Sequence, residues 1–126
     1  MNGLDRAYKA ARKAIETTYR GSLTMYEHRD VTDEKTKLTT QKEVPVLTKV
    51  PCKVSFGTIS SAEQTATAAS VTQAVKLFCT PEITLKPGCR LSVEQDGIST
   101  DYQMSGQPAT YPTHQEIMLD LFDRWA

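Results

Sequence analysis

The sequence has few of the residues and motifs that enzymes, metalloproteins and nucleotide-binding proteins depend on. Its 126 residues include two histidines, three cysteines and six glycines. It has no C-x-x-C pair, no H-E-x-x-H pattern and no glycine-rich phosphate loop, so we expect no metal, no cofactor and no nucleotide. The carboxylates are scattered and no cysteine stands in a recognisable nucleophile setting. We therefore expect no catalytic residues and no enzymatic activity.

Net charge is also lacking, since 15 basic residues balance 15 acidic ones. A protein that mainly grips phosphate backbones would be basic, and aromatic residues make up only 7% of the chain. A small nucleic-acid-binding β-barrel is therefore the weaker alternative, in a different functional class. No apolar run approaches the roughly 20 residues of a membrane span, and we expect no signal peptide and no membrane partner. The odd number of cysteines predicts buried, reduced thiols without a disulfide.

The N-terminal segment is the one clearly helical part of the sequence. In residues 4–19, apolar side chains recur every three or four positions, and Gly21 follows as a terminator. We expect this amphipathic helix to pack on its own domain rather than lie on a membrane. Its basic face supplies four candidate partner-binding residues, Arg6, Lys9, Arg12 and Lys13.

The charges are distributed unevenly along the chain. Residues 1–20 hold five bases and two acids, whereas residues 94–126 hold one base and six acids. Opposite charge at the two ends suits head-to-tail association between copies. Ordinary surface charge that falls in two blocks is an equally good interpretation.

After Gly21 the apolar period changes from about 3.6 to 2, which is typical of β-strands. Alternation predicts shared faces for four groups of residues: Leu23 with Met25; Val44, Val46, Thr48 and Val50; Cys52, Val54 and Phe56; and Val75, Leu77 and Cys79. Pro45 and Pro51 restrict their segments to strand ends or to an edge. Pro87-Gly88 and Asp96-Gly97 mark tight turns.

The sequence therefore predicts one mainly β domain over residues 1–126, a small antiparallel β-barrel or sandwich with an N-terminal α-helix and a long inter-strand loop. The barrel covers residues 22–122 and has about five to seven strands. Residues 114–125 fit both a helix and a strand, and we favour a closing strand.

Residues 57–73 interrupt the strand pattern with a stretch rich in Ser, Thr and Ala. Such side chains bury too little apolar area to offset the cost of ordering the backbone. We predict a projecting loop that is weakly ordered in the isolated subunit and contacts a partner in an assembly. The candidate partner-binding residues of this loop are Ser60, Ser61, Glu63, Gln64, Thr65, Thr67 and Val71.

The order of these features resembles a protein family. A strand GSLTMYEH and a polar turn precede a strand ending in CKVSF, then a long loop, KLFCTPE, the corner ITLKPGCRLSV, a DG turn and a final HQEIMLDL. Over residues 22–122 this order resembles the head-completion proteins of long-tailed bacteriophages and prophages, also called head-closure or stopper proteins. The N-terminal helix is an addition to the minimal family pattern.

The resemblance implies a non-enzymatic virion protein assembled in the bacterial host cytoplasm. Family members are small β-barrels that form a ring in the head–tail connector, bound to the portal or adaptor ring and to tail proteins. The ring closes the head around packaged DNA without sequence-specific binding and docks the tail. The loop at residues 57–73 is expected to point towards the channel or the upstream ring. A tail-terminator or another minor tail ring protein is the alternative within this class.

Overall fold

The fold is known from a computed structural model that describes residues 2–58 and 73–125. Within these ranges the chain forms one helix and seven strands. Their bounds are α1 Gly3–Glu16, β1 Gly21–Thr32, β2 Thr39–Thr58, β3 Gln73–Cys79, β4 Arg90–Gln95, β5 Ile98–Met104, β6 Ala109–Thr110 and β7 Gln115–Leu121. Ends of the predicted loop, residues 57, 58 and 73, belong to β2 and β3. The rest of it, including the seven candidate residues from Ser60 to Val71, lies outside the described residues.

The strands form a closed antiparallel barrel. Six strands follow the order β3-β2-β1-β4-β5-β7, and β7 pairs back with β3 to close the ring of strands. The short β6 pairs with β7 next to β5. The predicted mainly β fold with an N-terminal helix is thus confirmed. The ambiguous segment at residues 114–125 contributes the closing strand β7, as favoured above.

The inward face of the barrel follows the alternation read from the sequence. Leu23, Leu77 and Leu91 are completely buried, and Ile117 is 1% exposed. The rest of the buried apolar core consists of Met25, Cys52, Val54, Cys79, Leu85, Cys89, Val93, Tyr102 and Leu119. Phe56 is the exception, because the pattern predicts a buried side chain whereas 54% of it is exposed.

Strands β1 and β2 continue past the barrel as a two-stranded ribbon, here defined as residues 27–44. β4 pairs only with Gly21–Tyr26 of β1, and β3 pairs only from Cys52 onwards, so the ribbon strands have each other as their sheet partners. Pro45 and Pro51 both lie where β2 has no β3 partner. β2 therefore has an unpaired edge at both prolines, and the prediction for the two prolines is confirmed.

The register of β2 shifts twice against β1, and each shift adds one residue to β2. Leu23 pairs with Val50, but Met25 pairs with Leu47, and Lys49 has a positive φ of 50°. Such bulges bend a strand and change which side chains share a face. The predicted common face of Val44, Val46, Thr48 and Val50 is therefore wrong: Leu47 packs against the core, whereas Thr48 is exposed.

Gly21 allows the close approach of β1 to β2 where the helix connection enters the barrel. A Cβ atom at this position would lie 3.0 Å from the Cys52 carbonyl oxygen and 3.2 Å from the Cys52 Sγ. We expect Gly21→Ala to lower the free energy of unfolding by about 1–3 kcal/mol, as overpacking does in other cores. Urea denaturation measures this change. Gly57→Ala, with no atom within 4 Å of the new Cβ, is the matched control and should cause no comparable loss.

All three cysteines are free and buried, as predicted. Burial raises the pKa of the Cys52 and Cys79 thiols to about 12, so the reactive thiolate is scarce at neutral pH. We expect a bulky maleimide to leave both thiols unlabelled in the native protein. Cys52 and Cys79 are register partners on adjacent strands. To test whether they form a disulfide, the protein is also denatured without reductant and its free thiols are counted. Three free thiols are expected, and a count of one would reveal a cross-strand disulfide.

Candidate interaction surfaces

Helix α1 is an exposed appendage of the barrel. None of its residues is buried, and Leu4 and Tyr8 are 60% and 41% exposed. The expectation that the apolar stripe packs on its own domain is therefore wrong. The stripe has only one Leu and one Ile, its alanines gain little from burial, and the barrel closes around its own core without the helix. Over the described residues, no helix is long and apolar enough to span a membrane.

Local hydrogen bonds set the ends of α1. Asn2 caps the first turn, where its Oδ1 accepts from the backbone N–H of Asp5 at 2.8 Å. At the other end the hydroxyl groups of Thr17 and Thr18 donate to the carbonyl oxygens of Ala14 and Ile15. These side chains compete with the helical backbone, so α1 ends at Glu16 rather than Tyr19.

Arg12 attaches the helix to the barrel. Its guanidinium donates to Glu82 Oε1 at 2.7 Å, to Thr80 Oγ1 at 2.6 Å and to Glu16 Oε1 at 2.9 Å. The hydrogen bond to Glu82 raises the pKa of Arg12, and the pKa of Glu82 is lowered in turn.

The four candidate residues of the helix thus fall into two groups. Arg12 is engaged by its own chain, whereas Arg6, Lys9 and Lys13 are exposed and make no ion pair among the residues that the structure describes. The sequence could not separate these groups, because periodicity places side chains on a helix face without identifying what that face meets. The last three remain available to a partner.

The second surface is an apolar groove at one end of the barrel, here called the barrel mouth. Its lining residues are Val54, Phe56, Val93, Gln95, Asp96, Ile98, Thr100 and Tyr102. Phe56 is 54% exposed and Ile98 is 68% exposed. Leu121, the register partner of Tyr102, is 69% exposed at the end of β7. Alternation predicts that side chains in these positions point inward, but at a strand end no further layer of the described residues covers them.

Gln95 stabilises the barrel mouth beside Gly21, the first residue of β1. Its Oε1 accepts from the Val54 N–H at 2.9 Å, and its Nε2 donates to the Val54 carbonyl oxygen at 3.1 Å. The side-chain amide thus replaces the ladder hydrogen bonds that β1 would make to Val54 if it began before Gly21. The groove is therefore a built part of the barrel end rather than a frayed edge.

The ribbon is the third exposed element, and Arg90 fastens it to the barrel. The Arg90 Nε donates to Glu43 Oε1 at 2.5 Å, and Nη1 donates to Asp101 Oδ1 at 3.0 Å. The guanidinium also lies 4.1 Å from the centre of the Tyr26 ring. The C-terminal segment crosses to the ribbon as well, where Trp125 stacks on His28 at 4.6 Å between ring centres.

His114 makes contacts that hold its own segment in place. The His114 Nε2 lies 2.8 Å from Glu116 Oε2, and its ring stacks on Tyr111 at 5.0 Å. These contacts join the segment before β7 to the barrel wall. In the part of the chain that the structure describes, no three His, Cys, Asp or Glu side chains gather in a way that could hold a metal ion.

Comparisons with known proteins give one structural similarity. No protein-family model matches the sequence, and no curated protein matches it. Among solved structures, the chain is similar to the phage-like element PBSX protein xkdH from Bacillus subtilis, with a TM-score of 0.43 and 9% sequence identity. The match covers 79% of this chain and 91% of that chain. A similarity at this level establishes neither a family nor a function.

The Arg90–Glu43 pair makes a pH-dependent contribution to stability. The hydrogen bond from Arg90 holds the pKa of Glu43 below its usual value. The contribution is therefore complete above the unfolded-state pKa of about 4.3 and is lost as the pH falls through the lower folded-state pKa. We expect the difference in unfolding free energy between wild type and Glu43→Gln to shrink as the pH is lowered from about 6 to about 3. A difference that stays constant with pH would contradict this role.

Proposed function

We propose that the chain is a structural subunit of a phage or prophage particle, which assembles into a ring at the head–tail connection, closes the DNA-filled head and docks the tail. The observation that carries the proposal is a rigid, closed barrel with an amphipathic helix of which no residue is buried. An exposed apolar stripe on such a helix favours a protein whose partners in an assembly complete its packing.

The arrangement of the strands supports the same proposal. The segments that carry the resemblance to head-completion proteins, from GSLTMYEH to HQEIMLDL, are successive parts of one barrel. A closed barrel keeps its shape when it is loaded from several sides, because all six strands are paired on both edges over part of their length. Such a subunit transmits load between a head and a tail without internal rearrangement.

The exposed elements supply the surfaces that a connector subunit needs. The helix α1, the barrel mouth and the ribbon are each attached to the barrel by specific polar contacts of Arg12, Gln95 and Arg90. Because these elements come from different parts of the chain, they give one subunit separate surfaces for neighbours within a ring and for components above and below it. Packaged DNA lies nearby in this arrangement, without sequence-specific binding.

The test uses DNA-filled heads that lack both tails and this protein. Purified protein is added, followed by purified tails, and the particles are imaged by electron microscopy. We expect a ring at the portal vertex, retention of DNA and tail attachment. Binding to tail tubes but not to heads would identify a tail-terminator instead. Binding to DNA alone, with a steep dependence on salt, would contradict the connector role and favour the nucleic-acid-binding alternative.

A further inference from the structure

This chain has two exposed apolar surfaces with charges of opposite sign near them. The first is the apolar face of α1. At about 100° per residue, its apolar side chains cover an arc of about 160° around the helix. This face consists of Gly3, Leu4, Ala7, Tyr8, Ala10, Ala11, Ala14 and Ile15. Arg6 and Lys13, seven positions apart, border it on one side, whereas Lys9 lies at the centre of the opposite, polar face. The many alanines allow a close approach to another backbone.

The second surface is the barrel mouth, which is apolar within, includes Asp96 in its lining and has further carboxylates close by in the sequence of β4 and β7. Phe56 and Ile98 form exposed walls over Val54, Val93 and Tyr102. Glu94 precedes Gln95 of the groove, and Asp120 precedes the exposed Leu121. Both carboxylates are exposed and make no ion pair within residues 2–58 and 73–125. Asp96 forms an ion pair with Arg20 of the same chain, with 2.9 Å between Arg20 Nε and Asp96 Oδ2.

We propose that the apolar face of α1 docks in the barrel mouth of a second copy of this chain, so that copies associate head to tail. The proposal rests on the ring assembly proposed above and names the two surfaces that make its contact. Two helices repel because both are basic, whereas a basic helix is attracted to a mouth whose strands β4 and β7 carry Glu94 and Asp120. A contact between two different surfaces leaves each copy able to bind two others, and it forms a ring when the rotation closes.

The contact is made between chains rather than within one. Arg12 holds the C-terminal half of α1 against Thr80 and Glu82. In that position Leu4 remains 60% exposed and Ile98 remains 68% exposed, so the helix does not fill the mouth of its own barrel. In the part of the chain that the structure describes, no element covers Leu4 or Ile98, so we assign both surfaces to a contact with a neighbour.

Charge reversal on each surface tests the proposal by sedimentation velocity over a range of protein concentrations. We expect Arg6→Glu/Lys13→Glu to weaken self-association at least about tenfold, and Glu94→Lys/Asp120→Lys to do the same. An equimolar mixture of these two variants should associate again, because every helix then meets a mouth of opposite charge. The matched control for the helix variant, Lys35→Glu/Lys42→Glu, makes the same change in net charge on the ribbon, outside both surfaces, and should associate like the wild type.

Cross-linking between two variants identifies the surfaces directly. Leu4→Cys and Ile98→Cys chains are mixed and treated with a short bis-maleimide, to which the buried native cysteines give no background. We expect covalent dimers only in the mixture. Dimers of Leu4→Cys alone would show helix-to-helix pairing, and a monomeric wild type at millimolar concentration would exclude the contact; either result overturns the proposal. Association that needs anionic vesicles overturns it as well, in favour of a membrane surface.

The same variants separate this proposal from the proposed function. If Arg6→Glu/Lys13→Glu still forms rings on tail-less heads, the contact named here is wrong and the connector role stands. If the wild type self-associates through these surfaces but never binds heads or tails, the contact stands and the connector role is wrong.

Discussion

The closure of the barrel by β7 is the constraint on which the rest of the structure depends. This strand pairs with β3 through residues 115–119 and with β5 through residues 119–121, so its register must satisfy both neighbours at once. A shift by one residue would turn Ile117 and Leu119 outward and remove them from the core. Neither α1 nor the ribbon adds a residue to the buried core, and polar side chains such as Arg12 and Arg90 attach them to the barrel.

The period-two pattern of the strands explains where prediction from the sequence succeeded and where it failed. Alternation correctly predicted the inward faces that carry Leu23, Cys52 and Leu77, because burial on one side of a strand imposes a period of two. It failed at Phe56, since alternation gives the phase of a strand but not the position of its end. It failed again at Thr48, because two bulges in β2 change which side chains point inward, and no turn residue in the local sequence indicates these bulges.

The candidate surfaces were predictable only in part. The helical period and basic face of α1 were evident from the sequence, but the exposure of Leu4 and the engagement of Arg12 depend on contacts with residues 80 and 82, about 70 positions away. The barrel mouth gave no signal at all, because it combines ends of β2, β4 and β5 that are separated in the chain. The opposite charge of the two ends of the chain is the sequence feature that favours complementary surfaces.

The modest size of the exposed apolar surfaces has a consequence for assembly. An alanine-rich face with Leu4 and Tyr8 buries little area, so at about 25 cal/mol per Å² a single contact gains little against the cost of association. A single contact of this kind is therefore weak, whereas a closed ring gives every subunit two contacts and raises the effective concentration at the last closure step. In the assembly proposed above, rings would then form only where a template gathers the subunits, which is what a subunit that acts on filled heads requires.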